Sequence, residues 1–213
     1  MGKLVLATIT ISGSAKWLLK VGGNKEKWYG SDRIFMYVMT VFGAMTVNYS
    51  EQCTEYGWVV SNLRLLAGCL LAGGLLSAAY MDRRNCWVYN YVWWWCLPWT
   101  GILLGLPVSE AYMEDGVCRI TDRFSIQQAA AVALFVLLQQ ILFAQMYGRA
   151  DCHAFSVCAL AGCAWQGNLL WFLIHMLSAL TLLAAVQFCR RNVTPDGKLR
   201  VPKPFIPYIV VTF

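Results

Sequence analysis

What most restricts this chain is where it places no charge. Residues 125–145, SIQQAAAVALFVLLQQILFAQ, carry no formal charge, and residues 57–80, GWVVSNLRLLAGCLLAGGLLSAAY, carry only Arg64. A helix needs roughly 20 apolar residues to cross a bilayer. Inside lipid every backbone amide and carbonyl must find its partner within the protein, which leaves helices as the form such runs can take. Over the 213 residues, 59% are hydrophobic and 13% are charged, whereas about 25% charge is usual in soluble domains. The expectation is an all-α, polytopic transmembrane bundle of about six to seven helices.

Apolar runs mark the helices at 33–49, 57–80, 86–106, 125–147, 152–164 and 168–189, with a last stretch from 204 to the end. The tryptophans of VWWWCLPW sit near one end of their run, as aromatic residues do at a membrane interface. The first run, LVLATITIS, spans about ten residues and is followed by Lys16 and Lys20. Residues 1–31 therefore read as an interfacial or marginal membrane segment, and 32–213 as the membrane-embedded domain. Gly-rich patches such as Ala72-Gly73-Gly74 permit close helix contact. Arg64 reads as a side chain that snorkels to the interface.

The basic clusters fall in alternate loops, while the other loops hold Glu51 and Glu55 or the mixed segment SEAYMEDGVCRITDR. Lys16, Lys20, Lys25, Lys27 and Arg33 precede the run at 33–49, Arg83 and Arg84 follow the next, and Arg149 follows the fourth. Arg190, Arg191, Lys198, Arg200 and Lys203 precede the last stretch. All lie on one side if 152–164 and 168–189 both cross, and the positive-inside rule makes that side cytoplasmic. The net charge of +6 is thus an orientation feature, and no nucleic-acid partner is expected. The nine cysteines contain no C-x-x-C pair, so neither a structural metal nor a disulfide framework is expected.

On that inner side two loops each hold an aspartate beside an apolar segment: Asp82 in YMDRRN and Asp151 in YGRADCHAF. Two carboxylates meeting at a shielded membrane edge cannot both ionise cheaply, so one keeps a proton while the other can take one from water. That is the arrangement of an aspartic protease. The bland alternative is that each aspartate pairs with its neighbouring arginine as a solvated helix-end charge. His175, in IHMLSAL, reads as a core or interhelical hydrogen-bonding group.

At these residues the chain resembles the type IV prepilin peptidases, membrane aspartic proteases with a G-x-G-D motif. Gly148-Arg149-Ala150-Asp151 stands where the family has G-x-G/A-D, with His153 in the place of a lysine. Val88-Tyr89-Asn90 stands where the family has Ile-Pro-Asn after its first aspartate, and Pro204-Phe205-Ile206-Pro207 resembles its late proline element. The resemblance covers roughly 57–213. It implies that Asp82 and Asp151 are catalytic, with Gly148, Ala150, Asn90 and His153 positioning motif or substrate, and with no metal or other cofactor. It further implies prepilin or pseudopilin precursors as substrates, each with a short basic leader joined to an apolar helix and cut at the cytoplasmic face of the inner membrane. The paired C-x-x-C loop of longer members is missing, which points to a cleavage-only form.

Tyr89 in place of proline and His153 in place of lysine keep a second class open: an inactive homologue, small transporter or assembly factor on the same scaffold. Transporters hold their ionisable groups near the bilayer midplane, whereas both aspartates here lie at segment ends. Neither the particular precursor nor the oligomeric state follows from the sequence.

Overall fold

The computed structural model describes residues 2–22, 30–52, 58–115, 126–145, 148–165, 169–191 and 204–212. Among them the chain is all-helical: α1 (Gly2–Val21), α2 (Gly30–Gln52), α3 (Trp58–Asn85), α4 (Asn90–Asp115), α5 (Ile126–Ile141), α6 (Arg149–Trp165), α7 (Leu169–Arg191) and α8 (Ile206–Thr212). A short 3-10 turn, Phe143–Gln145, follows α5. That is one helix more than the apolar runs suggested. The addition is α1, which continues helically through Lys16 and Lys20 to a length of 20 residues.

α1 and α3 are each long and apolar enough to cross a membrane. Large apolar side chains face outward on several helices, among them Leu6 and Ile9 of α1, Ile34 and Val38 of α2, Trp94 of α4, Leu134 of α5 and Ile174 of α7. Such extensive outward apolar surface marks contact with an apolar phase or partner. Arg64, by contrast, is 3% exposed, its Nε and Nη1 atoms inside the bundle. It does not snorkel.

α3 is the central helix, packing on α1, α2, α4 and α8. Its small residues set the spacing. A Cβ on Gly73 would run into Ser14 of α1, and one on Gly74 would meet Cys96 Sγ of α4 at 2.6 Å. Polar groups add bonds between helices: Tyr91 Oη of α4 donates to the Leu18 carbonyl of α1 at 2.9 Å, and Trp95 Nε1 of α4 donates to the Leu70 carbonyl of α3 at 3.2 Å.

α3 stops where Cys86 takes a left-handed conformation, φ 51°, and its amide bonds back to the Asp82 carbonyl at 2.8 Å. A left-handed residue just past the last turn is a common way to end a helix. It delays the start of α4 to Asn90, four residues beyond the start of the apolar run. α5, α6 and α7 form the other side of the molecule, and α4 packs on α6. The seven-residue α8 lies between the two sides, touching α3, α6 and α7. Gln166, Gly167 and Asn168 of the linking turn, and the basic loops at 23–29 and 192–203, fall outside the described residues.

Because Gly73 has no room to grow, Gly73→Leu should separate α1 from α3 and lower the thermal midpoint in detergent. Overpacking of this kind costs about 1–3 kcal/mol. Gly101→Ala, where an added Cβ meets nothing within 4 Å, should leave the midpoint unchanged or slightly raised.

Candidate active site

The first amides of any helix lack partners within the helix, and both aspartates sit against such ends. Gly148 is the residue before α6, and its carbonyl accepts the amides of Asp151 at 3.0 Å and Cys152 at 3.3 Å. Asp151, third residue of α6, turns its carboxylate back toward Gly148. A Cβ there would lie 3.4 Å from Asp151 Oδ2, and the Gly148 backbone hydrogen-bonds that carboxylate. This is the reciprocal capping arrangement in which an acidic third residue satisfies the amide at the cap. A glycine at the cap leaves open the space the carboxylate uses.

Asp82 caps a different helix. It lies in the last turn of α3, 7% exposed, and its Oδ2 accepts the Ile206 amide at 2.9 Å across 124 residues of sequence. The Phe205 backbone bonds the same carboxylate. Phe205 is the residue before α8, its carbonyl accepting the amides of Tyr208 and Ile209. Asp82 therefore supplies from another helix the acceptor that the start of α8 lacks.

Folding brings the two carboxylates within electrostatic reach of each other. Burial first, and the Asp82 charge second, push the Asp151 carboxyl up to about 7, against the opposing Gly148 bond. Cys86, at the end of α3, lies close to both. Burial, then Asp82, then Asp151 push its thiol above the ordinary range. The arginines beside Asp82 turn elsewhere: Arg83 Nε lies 4.0 Å and Arg84 Nε 3.9 Å from the Asp32 carboxylate of α2. Arg83 also covers the Phe35 ring at 4.6 Å.

The other residues singled out from the sequence are distributed differently. Ala150 is half-buried in the first turn of α6 and packs on the core. Asn90 opens α4 on the exposed surface, and among the described contacts none joins it to either carboxylate. His153 is two residues beyond Asp151, about 200° around the helix. Its Nδ1 lies 3.3 Å from Gln140 Nε2 and its ring 5.8 Å from that of Trp93, so it faces α5 and α4. Among the described residues no three His, Cys, Asp or Glu side chains gather as metal ligands would.

What sequence reasoning missed is the pair of backbone amides at Phe205 and Ile206. The available clue was Pro204-Phe205-Ile206-Pro207, since prolines flanking a helix start leave the intervening amides without local partners. No protein-family model matches the chain, and neither a curated protein nor a solved structure matches it significantly.

In protein carrying carbon-13-labelled aspartate, one carboxyl should titrate near pH 7 and disappear in Asp151→Asn. Asp82→Asn removes the neighbouring charge, so the Asp151 titration should then move to lower pH. Because its proton is held more tightly in the folded state, Asp151 contributes stability that is complete below the ordinary carboxylate value of 3.8. That contribution is lost as pH rises through about 7. Thermal midpoints measured across this window should show the loss in the native chain and not in Asp151→Asn.

Proposed function

We propose that this chain is a multi-pass membrane aspartic endopeptidase that removes the leader from prepilin-like precursors at the cytoplasmic face of the inner membrane. The observation that carries the reading is that Asp82, in the last turn of α3, and Asp151, in the first turn of α6, lie 69 residues apart in the chain yet within electrostatic reach of each other, both largely withdrawn from water. Supporting the membrane setting are the two long apolar helices, the outward apolar faces and the concentration of most basic residues near alternate segment ends. The bland pairing of each aspartate with its own arginine is disfavoured at Asp82, where Arg83 and Arg84 are engaged with Asp32.

In this mechanism the two carboxyls have different tasks. Burial pushes the Asp82 carboxyl above its ordinary value, and the backbone amides of Ile206 and Phe205 that donate to it oppose that rise. Asp82 is the general base, taking a proton from a water as its oxygen attacks the scissile carbonyl carbon. Asp151, holding its proton up to about pH 7, donates to the carbonyl oxygen. The tetrahedral intermediate collapses as the C–N bond breaks: Asp82 passes the proton it took from water to the leaving nitrogen, and Asp151 recovers one from a hydroxyl of the intermediate, giving the new carboxyl group and a free amine with both aspartates restored. Neither step needs a covalent intermediate.

Co-expression with a prepilin-type precursor tests the assignment. Asp82→Asn and Asp151→Asn should each abolish leader removal, while both variants still insert in the membrane; normal cleavage by both would end the protease reading. Cleavage by the native chain should fall above about pH 7, as Asp151 loses the proton it must donate, and fall again in acid as Asp82 gains one. A well-folded native chain that cleaves no precursor would favour the inactive-homologue reading, which the turning of His153 toward Gln140 supports.

A further inference from the structure

α8 is too short to hold itself in place. Isolated helices below about 12–15 residues are marginal in water, because the first turn costs more than its single hydrogen bond returns. This one has seven residues, yet it presents the amide that receives Asp82. Something must therefore hold α8 from its other end. His175 of α7 does so. It is 4% exposed, and its Nε2 lies 2.9 Å from the Ile209 carbonyl. A carbonyl can only accept, so Nε2 carries the hydrogen.

The imidazole is itself fixed by rings on two sides. It stacks on Trp171 at 5.5 Å and 25°, and it meets Phe155 edge-on at 5.7 Å. Phe155 lies one turn beyond Asp151 on α6, and its ring in turn meets Phe205 at 5.6 Å. Phe205 is the residue whose backbone, with that of Ile206, bonds Asp82. The helix bearing Asp151, the histidine and the segment capping Asp82 thus form one contiguous set of contacts.

We propose that His175 is a positioning residue for the carboxylate pair: by donating to the Ile209 carbonyl it holds α8 in the place where the Ile206 amide meets Asp82. The proposal rests on the protease reading for its consequence in catalysis, but its geometric part can be measured without a substrate. A histidine serving only as local packing would be replaceable by any side chain of similar bulk. A positioning histidine requires a donor.

The discriminating pair is His175→Gln and His175→Met, nearly equal in size, of which only glutamine can donate to the Ile209 carbonyl. In purified full-length protein, hydrogen–deuterium exchange at the Ile206 amide should rise at least tenfold in the Met variant. It should stay near native in the Gln variant, with the α3 core amides unchanged in both. The Asp151 titration should move from about pH 7 in the Met variant alone, and kcat on a precursor should fall at least tenfold with KM little altered. Native exchange and native titration in His175→Met would overturn the proposal, as would equal effects from Gln and Met. Should both of these fail to fold, His175→Phe, which keeps the ring contacts without the donor, takes the place of Met in the same measurements and faces the same outcomes. If exchange and titration respond as stated while the native chain cleaves nothing, the protease reading has failed and the positioning role stands.

Discussion

The bond from the Ile206 amide to the Asp82 carboxylate is the constraint on which the site depends. It closes a loop of 124 residues and brings the start of α8 against the last turn of the central helix α3. An uncompensated carboxylate at 7% exposure would carry a heavy desolvation cost, and an unpartnered amide at a buried helix start carries one of its own. Each removes the other's cost. α8 consequently joins the α1–α4 side of the molecule to the α5–α7 side, with α4–α6 packing as the second connection.

Both aspartates belong to helix starts, by different routes. Asp151 caps its own helix through Gly148, a local arrangement within four residues. Asp82 caps a helix contributed from the far end of the sequence. Helix starts favour negative charge, so each carboxylate has a structural reason to be where it is. Their mutual proximity opposes that preference, since two nearby charges of the same sign in a partly dry setting raise the cost of ionising both. Burial raises both carboxyls above their ordinary value, and with the Asp82 charge added Asp151 holds its proton up to about pH 7.

Much of the fold was legible because its elements are long. Runs such as 57–80 and 125–145 can form little other than helices, and α3 and α5 lie within a few residues of where hydrophobicity placed them. Boundaries slipped where local conformation overrode composition: Cys86, left-handed, ends α3 and delays α4 although the apolar run continues through both. Arg64 was misjudged because its charge suggested an outward path, while packing of α3 on three sides keeps it inside. α1 was underestimated because two lysines interrupt its apolar run, yet their stems follow a continuous helix whose inner face carries Ala7, Ile11 and Ala15.

The sequence by itself determined the all-helical character and the two aspartates at segment ends. These follow from hydrophobicity and charge read over tens of residues, a property each segment carries alone. Only the tertiary structure decided that Asp82 and Asp151 are neighbours, that His153 faces Gln140 instead of the pair, and that α8 supplies the amides Asp82 needs. Those outcomes turn on which helix faces meet, and a helix can be rotated or paired anew without changing its composition. The influence of Asp82 on Asp151 depends on how α3 and α6 are placed in space, which the order of residues along a chain does not encode.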